Sequence, residues 1–101
     1  MALSLWAVNP MVWVPVQMRD GEESYLGQQH TRLEIAFIPF FDDKDAAAAC
    51  LPRMTKARGV TCEVQAIRYR ELARDAARHG FLLFRLDGDG AIVEKIDPQA
   101  S

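Results

Sequence analysis

The sequence predicts an α/β protein at the α+β boundary, with one mixed β-sheet of about five strands and two helices packed on one face. Two observations predict this class. Short apolar or alternating segments recur with helical segments between them, in the order β-β-α-β-α-β-β. Near the middle, the apolar run at residues 33–41 leads into two aspartates and an alanine-rich helix, which is a strand–turn–helix unit.

Size and composition limit the classes of function. A chain of 101 residues predicts a single domain over 1–101, with a frayed tail at 97–101. A net charge of −2 argues against a nucleic-acid partner, and no apolar run reaches the roughly 18 residues of a membrane span. The first eighteen residues carry no charge and lack the basic start of a signal peptide. Cys50 and Cys62 match no zinc or redox spacing, so we expect reduced thiols and a cytoplasmic location.

The first elements are a short apolar segment and a strand. Residues 1–8 predict either a first strand or a segment that packs against the sheet, and Asn9-Pro10 ends it. Residues 11–18 alternate valine and methionine with other residues, which predicts a strand with one buried face. Pro15 favours an edge position for this strand, since it cannot donate to a ladder.

Residues 19–32 are polar and contain an Asp-Gly turn, so we expect a long loop with a partial helical turn or a flexible flap. Loops of this kind host function more often than core strands do. The candidate ligand-binding residues are Tyr25 and His30 in this loop, together with Arg68.

The alanine-rich segment predicts a helix over about 43–58, with Asp42 or Asp43 as its N-cap. Pro52 lies in its interior, so the helix either kinks there or restarts with Pro52 in a new first turn; we favour the kink. Residues 60–66 alternate again and predict the next strand. Strands joined by helical crossovers are expected to be parallel neighbours.

The last third predicts a helix over 69–79 that Gly80 ends, and then a hairpin. Its strands, 81–86 and 91–96, flank the sequence Asp-Gly-Asp-Gly. Aligned with a calcium-binding loop, that sequence places Arg85 and Ile96 at ligand positions, so a hairpin turn is the better interpretation. We expect no metal and no cofactor.

An arginine stripe runs along the second predicted helix at positions 70, 74 and 78. It would suit phosphates or an acidic partner. However, Glu71 and Asp75 lie within helical reach of Arg74 and Arg78, which favours a solvated face with exposed ion pairs.

The apolar content exceeds what two helices on one face are expected to bury. Both faces of 33–41 and 81–86 are hydrophobic, and large apolar patches usually mark interfaces. We therefore predict a homodimer through the helix-free face or the N-terminal edge of the sheet. The predicted interface residues are Trp6, Trp13, Phe40 and Phe41.

The resulting functional prediction is a homo-oligomeric interaction or regulatory module. One alternative is a small-molecule-binding domain with a pocket between residues 19–32 and the sheet. Another is an enzyme that uses Tyr25, His30 or Arg68, although no catalytic motif supports it.

A partial resemblance covers residues 12–50. The segments VWVPVQ, YLG and IAFIPFFDDKDAA resemble the N-terminal domain of the enhanced-serine-sensitivity family, which consists of small bacterial α/β domains. The chain departs from that family after its second helix. The resemblance implies a strand–cap–helix core of bacterial type and supplies no mechanism, and we do not assign the chain to the family.

Overall fold

The computed structural model describes residues 3–99 and has a mixed α+β fold, as predicted. Seven strands and three α-helices follow one another along the chain. In order they are α1 (Leu5–Val8), β1 (Met11–Arg19), β2 (Glu22–Tyr25), β3 (Gln28–His30), β4 (Ile35–Phe40), α2 (Lys44–Cys50), β5 (Thr61–Arg68), α3 (Tyr69–His79), β6 (Leu82–Leu86) and β7 (Ile92–Ile96).

The strands form two sheets that meet at one point. The first has the order β2-β1-β5 and the second the order β3-β4-β6-β7. Trp13 and Phe41 join them, because the N–H of each donates to the carbonyl oxygen of the other at 2.9 Å. Across this bridge the five strands that the sequence predicted lie side by side in the order β5-β1-β4-β6-β7. Only β4 and β6 are parallel, so the expectation that the strands flanking each helix are parallel neighbours is wrong.

Residues 19–32 are not the predicted loop. They form β2 and β3, two short strands that bend at Leu26-Gly27, pairing first with β1 and then with β4. The Asp20-Gly21 turn has positive φ at both residues, 52° and 81°, as the tight hairpins favoured by Asp-Gly require. At Gly27 a Cβ atom would lie 3.1 Å from the ring of Phe81, so a larger residue at this bend would have to push the ring aside by a few tenths of an ångström.

The two longer helices pack on opposite faces of the strands, which corrects the prediction that both lie on one face. Val12 and Val14 contact the buried face of α3, whereas Trp13 between them packs with Ala47 and Cys50 of α2. The cause is the two-residue period of a strand, which points neighbouring side chains to opposite faces. Both apolar faces of the strands are thus at least partly covered within one chain.

The helix predicted over residues 43–58 ends earlier than expected, before Pro52. Asp43 is the N-cap of α2 as expected, and its Oδ1 accepts from the N–H of Ala46 at 2.8 Å. The helix then ends at Cys50, and Pro52 lies in a separate 3₁₀ turn, Leu51–Arg53. A proline in a first turn loses no helical hydrogen bond, whereas a kinked helix would lose one. The predicted kink is therefore wrong, and the alternative of a restart is closer.

Within residues 3–8 the predicted strand is absent, because residues 5–8 form α1. Leu5 packs against the buried cluster that contains Val12 and Leu72, which agrees with the alternative of a segment packed on the sheet. Ser4 caps α1 by accepting from the N–H of Ala7 at 3.1 Å, and α1 packs beside α3. Residues 1 and 2 of the predicted segment lie outside the described residues, as do 100 and 101 of the predicted tail. Gln99 donates from Nε2 to the carbonyl oxygen of Ala77, which fixes the described end of the chain to α3.

Asn9 links the start of the chain to the start of α3. Its own backbone has φ 51°, and its Oδ1 accepts from the N–H of Arg70 at 2.9 Å, so it caps a helix 61 residues away. Arg68, at the N-cap position, makes no side-chain cap. Sequence periodicity carries no signal for a cap supplied from so far along the chain.

We expect Asn9→Ala to lower the free energy of unfolding by about 1–3 kcal/mol. It removes the cap and places alanine in the left-handed region. Asn9→Gly, which removes only the cap, should cost less than alanine. Urea denaturation measures both, and an alanine variant within about 0.5 kcal/mol of the wild type would contradict the cap.

Candidate functional site

The predicted ligand-binding residues lie in three separate places. Tyr25 points toward α3, where its Oη donates to Oδ2 of Asp75 at 2.5 Å. His30 accepts from the N–H of Leu33 and lies edge-on to the ring of Phe84. Arg68 donates to the carbonyl oxygen of Asn9 at 3.4 Å. Each contacts a different part of the fold, so the structure assembles no common site from them.

The predicted interface residues also separate. Phe40 and Phe41, two of the predicted interface residues, are both 0% exposed within one chain, where they belong to the core. Phe40 packs under α3 and Phe41 packs against α2, because consecutive residues of one strand face opposite ways. Trp13 is half-buried beside Phe41, with the Lys44 ammonium 5.9 Å from its ring centre. Trp6 remains 38% exposed.

An acidic cleft flanks Tyr25 on both sides. Cavities of about 390 and 510 Å³ share Tyr25, Glu23 and Asp75, and Glu71 lines the smaller one. Burial, followed by the hydrogen bond to Asp75 and the nearby carboxylates, raises the pKa of the Tyr25 phenol. The phenol therefore stays neutral at physiological pH and acts as a hydrogen-bond donor.

The raised pKa of Tyr25 predicts alkaline sensitivity. The folded state favours the neutral phenol, so its contribution to stability is complete below pH 10 and is lost as the pH rises above it. We expect the free energy of unfolding of the wild type to fall more steeply above pH 10 than that of Tyr25→Phe. Tyr69, whose pKa burial also raises, is common to both proteins. Parallel pH curves in urea titrations would contradict this assignment.

A different cavity, of about 220 Å³, lies along the face of the parallel strands β4 and β6 on which α2 packs. At one end it reaches Leu86, the last residue of β6, and the Asp-Gly-Asp-Gly turn that follows. Its lining residues are Gln28, Phe37, Pro39, Cys50, Arg53, Met54, Leu86, Asp89 and Gly90.

The floor of this cavity is apolar. Phe37 stacks on the buried Phe84 ring with 4.2 Å between ring centres, so the floor rests on the core. Pro39 and Leu86 continue the floor along the two parallel strands, and Met54 lies across from them. Such a surface suits the apolar part of a small molecule.

Polar groups converge on its rim and are already held in position. Gln28 from β3 forms two hydrogen bonds with the backbone of Thr55, accepting at 3.0 Å and donating at 2.9 Å. Arg53 donates from Nη2 to the carbonyl oxygen of Gly88 at 3.3 Å. The Cys50 thiol donates to the same oxygen at 3.3 Å. These contacts fix the end of α2 against the turn.

Arg53 keeps binding capacity after these contacts. A guanidinium has five N–H donors, and within residues 3–99 Arg53 forms no ion pair. Asp89, on the turn, brings a carboxylate to the same rim. The cavity therefore offers hydrogen-bonding groups of both charges above an apolar floor.

Sequence reasoning missed most of this cavity. The interpretation of the Asp-Gly-Asp-Gly segment as a hairpin is confirmed, and Asp87 uses one carboxylate oxygen to accept from the N–H groups of Asp89 and Ala91. Nothing in the sequence signalled that this turn closes over the end of α2. The one hint in the sequence was Gln28, a polar residue in the 19–32 segment where ligand-binding residues were predicted.

Three further observations concern residues 3–99 or the whole sequence. Among the described residues, no cluster of histidine, cysteine, aspartate or glutamate has the size to hold a metal ion. No helix in that range has the length and apolarity to cross a bilayer. No protein-family model matches the chain, and no curated protein or solved structure matches it significantly, so the resemblance of residues 12–50 has no support there.

Proposed function

We propose that this protein is a cytoplasmic domain that binds a small ligand in the cavity between α2 and the Asp-Gly-Asp-Gly turn. The observation that carries the proposal is the meeting of an apolar floor on two parallel strands with the polar residues Gln28, Arg53 and Asp89. This proposal takes up the alternative of a small-molecule-binding domain that the sequence left open. The proposed pocket is lined by Gln28 from the 19–32 segment, and not by Tyr25. The unpaired thiols of Cys50 and Cys62 support a reducing compartment.

The size of the cavity restricts the ligand. At about 220 Å³ the cavity is small for a ligand pocket, so we expect it to hold a small metabolite or one small group of a larger molecule. The ligand has an apolar portion over Phe37 and a polar group that reaches Arg53. Because the rim is already held by Gln28 and Cys50, binding orders few side chains, which favours affinity.

A thermal-shift screen of small metabolites tests the proposal. At about 100 times its dissociation constant, a ligand stabilises the folded state by about 2.7 kcal/mol, which raises the Tm of a domain this size by about 10–20 °C. We expect Arg53→Gln to weaken such a ligand about tenfold, since a charged hydrogen bond is lost. Arg58→Gln, the same change at an arginine outside the cavity lining, should leave affinity unchanged.

Two results would contradict the proposal. One is a metabolite library in which no compound raises the Tm. The other is a stabilising compound that binds Arg53→Gln as tightly as the wild type, which would place its site elsewhere.

A second candidate function is the interaction module, as a homodimer through the start of the chain. Large apolar side chains are exposed at Leu3 (76%), Val8 (53%), Met11 (47%) and Trp6 (38%). Solvated apolar side chains concentrated in one segment favour an interface there. As in the prediction from sequence, Trp6 lies at the subunit contact. The contact is now formed by α1 instead of the helix-free face of the sheet.

Sedimentation equilibrium at micromolar concentration tests the dimer. We expect a dimer that Val8→Glu dissociates and that Val93→Glu does not, although Val93 on β7 is equally exposed at 54%. A wild-type chain that sediments at 11.4 kDa would exclude this candidate.

A further inference from the structure

A further cavity, separate from the one between α2 and the Asp-Gly-Asp-Gly turn, lies where α1 packs beside α3. Its volume is about 290 Å³, and Trp6, Ala73, Arg74, Ala77 and Pro98 line it. The walls are an indole ring, two alanine methyl groups and a proline ring. Among residues 3–99, the charged group that lines this cavity is the Arg74 guanidinium, and no carboxylate from that range belongs to the lining.

Two arginines contact the Trp6 ring, and they differ in what else they bind. The guanidinium carbons of Arg70 and Arg74 lie 5.5 and 5.4 Å from the ring centre, within the range of cation–π attraction. Arg70 is engaged by α1, since its Nε donates to the carbonyl oxygen of Trp6 at 2.8 Å and its Nη2 to that of Ala7 at 3.4 Å. Arg74 donates no hydrogen bond within residues 3–99.

The ion pairs expected for Arg74 are absent from the same range. Glu71 and Asp75 lie on the flank of α3 that faces β2, and Asp75 accepts from Tyr25 there. The prediction of a helix face with paired charges is therefore wrong for Arg74, and its planar set of donors is available to an anion. Carboxylates bind such a group with two parallel hydrogen bonds.

We propose that this cavity binds a small organic acid, with a flat apolar body between the Trp6 ring and the alanines and a carboxylate on Arg74. A cavity of about 150 Å³ already holds benzene, so 290 Å³ admits an aromatic acid. The lining excludes amines, because they would meet a guanidinium and no carboxylate. Arg74 selects the charge of the ligand, and Trp6 with Ala73 and Ala77 selects its shape.

Trp6 provides the readout. In a Trp13→Phe background the remaining tryptophan is Trp6, so its fluorescence reports the cavity directly. The probes are phenylacetate, benzoate and indole-3-acetate, with phenylacetamide, phenethylamine and inorganic phosphate as matched compounds, and titration calorimetry replaces fluorescence for the indole. We expect saturable binding of at least one acid at millimolar concentration and about tenfold weaker binding of its amide.

Two arginine variants distinguish binding in this cavity from nonspecific attraction of an anion to the positive charge of α3. Arg74→Gln should weaken the acid about tenfold, whereas Arg78→Gln, one turn further along the same helix and outside the lining, should change the dissociation constant less than twofold. Circular dichroism of each variant establishes that it is folded. The proposal is overturned if none of the acids saturates, if amide and acid bind equally, if phosphate alone competes as well as the acid, or if both arginine variants weaken binding alike.

Discussion

Phe40→Ala is expected to lower the free energy of unfolding by about 3–5 kcal/mol, the usual cost of emptying a buried aromatic site. The Phe40 side chain is 0% exposed and packs in the cluster beneath α3, with its ring centre 5.8 Å from that of Tyr69. Since small domains are stable by only about 5–15 kcal/mol, the variant should be marginally folded. Urea denaturation followed by circular dichroism measures the difference.

Leu33→Ala is the matched control, because Leu33 precedes the same strand and is 46% exposed. Its effect should stay near 0.5 kcal/mol, as for surface substitutions. The opposite result would be informative about assembly. If Phe40→Ala kept its stability and instead dissociated a dimer, Phe40 would lie at a subunit contact and the position of the core would be wrong.

Ala47→Leu is expected to lower the free energy of unfolding by about 1–3 kcal/mol. Ala47 is 0% exposed and lies on the face of α2 that packs against the strands, in the cluster with Phe41 and Cys50. The larger side chain has no free space there, so it must displace the helix or strain its rotamers. Both residues are good helix formers, so helix propensity contributes little to the difference.

Ala48→Leu tests the same helix on its solvent side. Ala48 is exposed, and its substitution should change the free energy of unfolding by less than about 0.5 kcal/mol. Equal effects at 47 and 48, measured by thermal or urea denaturation, would mean that α2 does not pack on the face opposite α3.

The elements that the sequence predicted correctly have local causes. Alternating valines make β1, an apolar run makes β4, and the Asp43 side chain begins α2. Gly80 ends α3 with φ 76°, a conformation that glycine adopts without a steric cost. Each of these signals lies within a few residues of the structure it specifies.

The errors concern pairing between distant segments. β5 pairs along all of β1, from Thr61 opposite Met18 to Arg68 opposite Met11, so the chain after α2 crosses to the far side of β1. That path places α2 and α3 on opposite faces, and no local pattern encodes it. β2 and β3 were missed because their polar residues lack strand periodicity and pair at the margins of both sheets.

The candidate site was the least predictable part. Its cavity exists because Gln28, Arg53 and the Asp-Gly-Asp-Gly turn meet after folding, although they come from three separate segments. Tyr25, His30 and Arg68 were selected for residue type alone, and folding places them apart. The surplus of apolar residues was real, but α2 and the Trp13–Phe41 contact bury much of it.

The most direct test of ligand binding between α2 and the turn is a methyl NMR titration with selectively labelled methionines. Met54 lines the proposed cavity, whereas Met11 and Met18 lie on β1 and are 47% and 37% exposed. When a compound that raises the Tm is added, the Met54 methyl signal should shift to saturation while those of Met11 and Met18 stay in place. A saturating shift at Met11 or Met18 with Met54 unmoved would contradict the proposed site.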